Sequence, residues 1–171
     1  LGFLGNLDQN APGWDKDLAD VIVLGAGGAS RAILVALKSR NAGRIHLLNR
    51  TTEKAAALAR DIGPSIRPAA LSRFAEVAPE AGLVVNTTSI GMHGSAFPDL
   101  PLARLQPTTL VTDLVYVPLE TPLLAAARAL GLPTVDGLGM LLHQAVPGFE
   151  AWFGVRPEVT ATLRLAVERT L

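Results

Sequence analysis

The chain has 171 residues, 49% of them hydrophobic and 18% charged, which suits one well-packed globular domain and excludes a disordered one. Fifteen Lys and Arg balance fifteen Asp and Glu, so there is no basic footprint for nucleic acid and no polybasic anchor for a membrane. The absence of cysteine excludes disulfides, thiolate catalysis and cysteine-ligated zinc together.

No apolar run approaches a membrane span and no charged-then-apolar leader opens the chain, so a cytoplasmic location is expected. The first residue is Leu1 and not Met, as if the N-terminus were made by processing, cleavage or truncation. Leu1, Leu4 and Leu7 stand at helical spacing, and residues 8–15 read as a loop. Residues 21–24, Val-Ile-Val-Leu, read as a buried strand. Glycines break it, and helix formers run from Ala29 to Leu37.

A strand entering a helix through glycines is the recipe for a pyrophosphate site. Gly25 permits a tight turn, and Gly27 lets backbone approach an anion without a side chain between them. Ala26 completes that turn, while Gly28 and Ala29 are expected to keep the strand-to-helix contact small. The spacing Gly25-x-Gly27-x-x-Ser30 puts a serine where Gly or Ala is usual. Arg31 opposes the helix dipole, which fits either a bound anion nearby or an ion pair with an acid.

Residues 41–43, Asn-Ala-Gly, stop the helix, and residues 45–48 form the second strand. A second helix is expected over residues 53–62, capped by Thr51 or Thr52 and ended by Gly63. Residues 65–68 read as an edge strand and 71–78 as a brief helix. Residues 83–86 form a further buried strand, followed by a polar loop over 87–94 and an irregular Pro-rich stretch over 95–109. Residues 110–114 are the next strand. Thr121 and Pro122 then open a helix that runs to Leu130 and Gly131. Residues 133–136 are the last strand. Helical patterning covers residues 138–153, with Pro147-Gly148 expected to kink or interrupt it. Pro157 is expected to open a final helix with an apolar stripe of Val159, Leu163, Ala166 and Val167. This alternation predicts an α/β fold: a Rossmann-like, doubly wound parallel sheet in a single three-layer domain over residues 1–171.

In such a sheet the end of the second strand faces the adenosine ribose, where an acid selects NAD. Here the residues are Asn49-Arg50-Thr51-Thr52-Glu53-Lys54. Arg50 can fork onto a 2′-phosphate and stack on adenine, and Lys54 supplies a second cation one turn later. The Thr51 and Thr52 hydroxyls either donate to phosphate or cap the helix. Glu53 falls in the first turn, where the dipole favours a carboxylate. A charge-assisted bond of about 1.5–3 kcal/mol gives roughly tenfold to hundredfold preference for NADP.

The chain resembles the cofactor-binding domain of the shikimate dehydrogenase family essentially from end to end. The marks are Gly25-Ala-Gly-Gly-Ala-Ser-Arg-Ala32, Asn49-Arg-Thr51, Asn86-Thr-Thr-Ser-Ile-Gly-Met92, Asp113-Leu-Val-Tyr116, Pro118-Leu-Glu-Thr-Pro-Leu123 and Asp136-Gly-Leu-Gly-Met-Leu-Leu-His-Gln144. The resemblance implies reduction of 3-dehydroshikimate to shikimate with NADPH. It gives the pyrophosphate to Gly25, Ala26, Gly27, Gly28 and Ala29, and the adenosine phosphate to Asn49, Arg50, Thr51 and Lys54. Thr88, Leu114, Gly137 and Met140 fall along the nicotinamide half, and Tyr116 and Gln144 reach the substrate.

Read from the residues alone, Tyr116 is equally a packing tyrosine, Gln144 a solvent-facing helical residue and Met140 a core residue. Asp113 and Asp136 end strands and suit structural roles, accepting bonds from backbone N–H groups. His46, His93 and His143 have no metal-ligand spacing and no metal is expected. The resemblance further implies an N-terminal domain, absent from this chain, that shares the small-molecule substrate and supplies a catalytic Lys–Asp pair. Neither residue of that pair matches a position here, so no catalytic residue is assigned, and the chain is expected to bind cofactor but be nearly inactive. An uncovered cleft wall, with Leu1, Phe3, Leu4, Leu163 and Val167 exposed, would favour self-association. The alternatives are a quinate/shikimate dehydrogenase domain using NAD, another small-molecule reductase, and a non-catalytic dinucleotide-binding module.

Overall fold

A computed structural model describes residues 1–16, 18–95 and 99–171. Residues 96–98, part of the expected Pro-rich stretch, lie outside the described residues. In chain order the elements are α1 (Gly2–Asn10), β1 (Asp20–Leu24), α2 (Gly28–Ser39), β2 (Arg44–Asn49), α3 (Thr52–Ile62), β3 (Ile66–Ala70), the single turn α4 (Phe74–Val77), β4 (Leu83–Asn86), β5 (Leu110–Asp113), α5 (Pro122–Ala129), β6 (Thr134–Val135), α6 (Leu138–Phe153) and α7 (Ala161–Glu168). The strands form one parallel sheet in the order β3-β2-β1-β4-β5-β6.

Alternation along the central strands builds two cores. Val21 and Val23 join Leu34, Leu37, Leu47 and Val85 on the face covered by α1, α2 and α3. Ile22 and Leu24 join Phe74, Val84, Val111 and Leu124 on the face covered by α4 and α5. Every residue of β1 is buried, which is why Val21 to Leu24 read as an unbroken apolar run. Each fully buried aliphatic side chain contributes roughly 1.5–3 kcal/mol. The strand order reverses between β1 and β4, so their following loops diverge and leave a crevice at the carboxyl edge, as this topology requires.

Several expected boundaries move. Helix α1 continues to Asn10, because the Asn10 Nδ2 donates to the Asn6 carbonyl at 3.0 Å and to its Oδ1 at 2.9 Å, while Asn6 Nδ2 donates to the Asp136 carbonyl at 2.7 Å. Polar residues that read as a loop are thus tied into a helix end. Helix α6 runs without a break through Pro147, correcting the expected interruption. Leu138, Leu142 and Val146 anchor it on one buried face, and such packing outweighs one lost backbone bond. The last helix starts at Ala161 and not at Pro157, since the Thr160 hydroxyl accepts from Leu163 N at 3.1 Å and caps it. The edge strand β3 carries Pro68, which is tolerated on an edge.

Helices α1 and α6 meet backbone to backbone. A Cβ on Gly2 would stand 2.6 Å from Gln144 Cγ and from the Met140 carbonyl oxygen, and one on Gly139 would stand 1.9 Å from Asn6 Oδ1. Gly5 faces the His143 ring in the same way. Phe3 is consequently buried, edge-on to Trp14 at 6.3 Å, which corrects its expected exposure. Leu4 and Val167 are half-buried, whereas Leu1 and Leu163 are exposed. The largest exposed apolar groups are instead Trp152 and Phe153 at the end of α6.

Candidate functional site

Gly25 ends β1 with φ +99° and its N–H donates to the Leu48 carbonyl at 2.8 Å. A Cβ there would lie 2.6 Å from Thr88 Cγ2, so only glycine lets the turn after β1 touch the loop after β4. Around Gly27 and Gly28 a Cβ would meet nothing within 4 Å. That open space corrects the expectation that Gly28 keeps the strand-to-helix contact small: Gly28 and Ala29 face outward, and the inward residue is Ser30, fully buried. Ser30 Oγ donates to the Gly25 carbonyl at 2.8 Å, accepts from Gly27 N at 3.0 Å and lies 2.7 Å from Thr87 Oγ1. Arg31 pairs with Asp61 on α3 at 2.6 Å across an exposed gap. Of its two readings, the ion pair is the one the structure adopts.

Two adjoining cavities open at this edge and share Gly25, Asn49, Arg50 and Thr88. One, of about 340 Å³, has apolar walls of Leu24, Leu48, Leu71 and Ile90. The other, of about 300 Å³, adds Ala26, Gly27, Thr51, Lys54, Thr87 and Ser89. An apolar slot beside a polar, cationic one suits a flat ring joined to phosphates. Among the described residues, no carboxylate lines either cavity. Asn49 Nδ2 donates to the Thr51 carbonyl at 2.8 Å and braces the turn into α3. The Thr51 side chain makes no capping bond to that helix, and Thr51 lines the second cavity. Thr87, Ser89 and Ile90 lie in the Asn86–Met92 stretch, though only Thr88 of it is assigned a cofactor contact from the sequence, and nothing in the chain marks Leu71 as a wall.

The loops after β4 and β5 are organised by amides and a carboxylate. Asn86, fully buried, donates through Nδ2 to Asp113 Oδ1 at 2.9 Å and to the Ile90 carbonyl at 3.2 Å. Its Oδ1 accepts from Thr88 N at 3.0 Å and Thr88 Oγ1 at 2.7 Å. Asp113 also accepts from Val115 N at 3.0 Å and Thr121 Oγ1 at 2.8 Å. Burial pushes its pKa up, and the three bonds from neutral donors offset this only in part. Asp113 is therefore a structural acceptor, and so is Asp136, which takes Leu138 N at 3.0 Å and the Arg164 guanidinium at 2.7 Å.

Leu114 donates its N–H to the Asn86 carbonyl at 3.1 Å, and a Cβ on Gly137 would stand 2.5 Å from the Leu114 carbonyl oxygen. Leu114 and Met140 are half-buried and pack on the core. Tyr116 follows β5, half-buried. Leu114, Tyr116 and Gly137 thus follow β5 and β6 along the carboxyl edge that carries the two cavities, without lining them. Gln144 is exposed on α6 against Gly2 of α1. His46 meets Asp20 at 2.8 Å and His143 meets Gln9 at 2.8 Å. Among the described residues no cluster of three or more His, Asp or Glu could hold a metal. A larger cavity, of about 530 Å³, lies by Leu18, Gly82, Leu110 and Pro133 at the amino edge of the sheet, away from the edge where ligands bind in this topology.

Residues 9–95 match the family described as shikimate / quinate 5-dehydrogenase. The chain belongs to that family. Residues 137–166 match the shikimate 5′-dehydrogenase C-terminal domain. A shikimate dehydrogenase (NADP(+)) of Nitrobacter hamburgensis is 59% identical over 170 residues, covering 99% of this chain and 59% of that protein. Quinate dehydrogenase from Corynebacterium glutamicum, solved in complex with NAD, matches with TM-score 0.87 and 32% identity over 99% of this chain and 61% of that one. Shikimate 5-dehydrogenase from Thermus thermophilus, in complex with NADP(H) and shikimate, matches with TM-score 0.80 and 36% identity over 99% and 61%. This member of the family thus spans about three fifths of the length of these relatives.

Proposed function

We propose that this chain is the NADP(H)-binding part of a shikimate dehydrogenase. The observation that carries the reading is the paired cavity, in which an open glycine turn shares its lining with Arg50 and Lys54 and, among the described residues, with no carboxylate. Gly25, Ala26, Gly27, Gly28 and Ala29 would hold the diphosphate against the α2 N-terminus. Asn49, Arg50, Thr51 and Lys54 would hold the adenosine phosphate, with adenine between Arg50 and the Leu71 and Ile90 wall. Thr88, Leu114, Gly137 and Met140 would border the nicotinamide half, and Tyr116 and Gln144 would orient the substrate. When bound, the nicotinamide supplies hydride chemistry. This chain's own residues bind, orient and shield.

The carbonyl oxygen of 3-dehydroshikimate must gain a proton as charge develops on it. The lysines here are Lys16, Lys38 and Lys54. Lys38 donates to the Ile62 carbonyl at 2.7 Å, Lys16 lies beside Gly13, and Lys54 lines the phosphate cavity. None stands as a proton donor beside Tyr116, so the chain alone binds NADPH and scarcely turns over shikimate. The longer relatives are consistent with a separate substrate-holding part. The exposed Trp152 and Phe153 support self-association in isolation, and a monomer by light scattering at high concentration would argue against it.

Calorimetric titration with NADPH tests the core of this reading. Saturable binding is expected, and no heat at millimolar ligand would overturn it. A second reading, a quinate dehydrogenase domain using NAD, is favoured by the likeness to the Corynebacterium enzyme. Equal affinity for NADH and NADPH would support that alternative.

A further inference from the structure

We propose that Ser30 and Thr87 form a hydroxyl clasp that sets the shape of the diphosphate turn and decides which of its N–H groups reach the ligand. They are positioning residues, and the inference rests on the NADP(H)-binding reading above. Three short contacts converge on these two hydroxyls: Ser30 Oγ to the Gly25 carbonyl at 2.8 Å, Ser30 Oγ to Thr87 Oγ1 at 2.7 Å, and Thr87 Oγ1 to the Leu24 carbonyl at 2.7 Å. Two hydroxyl protons serve three contacts only if one is shared. The Leu24 carbonyl already accepts the Thr87 backbone N–H at 2.9 Å, so it has least need of a second donor.

The assignment that satisfies most groups runs in one direction. Thr87 shares its proton between Ser30 Oγ and the Leu24 carbonyl, Ser30 donates to the Gly25 carbonyl, and Gly27 N–H donates to Ser30 Oγ at 3.0 Å. Ser30 then uses its one proton and both lone pairs, and the chain of bonds is mutually polarising in a buried setting. Two consequences follow for the turn. Gly25, at φ +99°, is held through its carbonyl from below and through its N–H by Leu48. The Gly27 N–H is turned inward, so the N–H groups of Ala26, Gly28 and Ala29, which have no acceptor among the described residues, are left for the diphosphate. A serine replaces the usual small residue here because it supplies this lock. The loop after β4, whose Thr88 borders the same cavities, is tied to the turn by the same bond.

The test is NADPH affinity of the intact chain, by fluorescence or calorimetry, for wild type, S30A, T87V, T87S and S30A/T87V, at a temperature where circular dichroism shows each fully folded. The expected result is about tenfold weaker binding for S30A and for T87V. The double variant should be scarcely weaker than either single one, and T87S, which keeps the hydroxyl, should lie within about twofold of wild type. In the ligand-free chain, exchange of the Gly27 amide should quicken in T87V and not in T87S. Should S30A fold poorly, the T87V and T87S pair decides alone. Unchanged affinity in folded T87V, or an equal loss in T87S, would overturn the clasp while leaving NADPH binding standing. A wild-type chain that fails to bind NADPH would remove both.

Discussion

Two buried aspartates at opposite edges of the sheet behave in opposite ways. At the amino edge, burial alone would raise the Asp20 pKa, but hydrogen bonds and charge from Arg44 at 2.8 Å and His46 at 2.8 Å outweigh it and hold the carboxyl below its ordinary range. At the carboxyl edge Asp113 has only neutral donors, and burial raises its pKa. The amino edge neutralises its charge internally. At the carboxyl edge Arg164 pairs with Asp136, but no cation is bonded to Asp113, and Arg50 and Lys54 line the cavity wall.

The sharpest way to break this contrast is D113A. It strips the acceptor from Asn86, Val115 and Thr121 together, and the expected loss is about 3–5 kcal/mol in urea denaturation, since each orphaned buried donor costs about 1–3 kcal/mol. R50A leaves the framework alone, and titration should show NADPH binding weakened about tenfold to hundredfold, with a smaller loss for NADH, which keeps only the adenine contact to lose.

A pH series distinguishes the two aspartates by sign. Asp20, with its pKa lowered, contributes stability that is present above its unfolded value near 3.8 and is lost as pH falls through the folded value. Asp113, with its pKa raised, contributes stability that is present below 3.8 and is lost as pH rises through the folded value. D20N should therefore flatten the acid limb of stability below about pH 4, and D113N the decline above it. The smallest effect is R31A. Its exposed pair with Asp61 is worth about 0–1 kcal/mol, and NADPH affinity should stay within about twofold.

The strand, glycine turn and helix around Gly25 were legible because β1 is buried on both faces and a positive φ demands glycine. Asn49, Arg50 and Lys54 were legible as a polar cluster at a strand end. The inward role of Ser30 was not, because a turn does not reveal which of its residues points at the sheet until a partner such as Thr87, far along the chain, is brought against it. The same holds for Leu71, an ordinary apolar residue until the ends of β3 and β4 bring it and Ile90 to one cavity. Pro147 inside α6 and the polar end of α1 were misread for one reason: local preference yielded to packing between two helices that only the fold brings together.

The bare backbone of Gly2 has a reach beyond its own helix. By resting on Gln144 and the Met140 carbonyl, it works as a spacer, fixing how far α6 stands from α1 and hence where Met140 and Gln144 sit. A single methyl at the start of the chain would wedge the helices apart and move residues that lie at the far end of the sequence. The gauge for the spacing of α1 and α6 is thus a missing side chain.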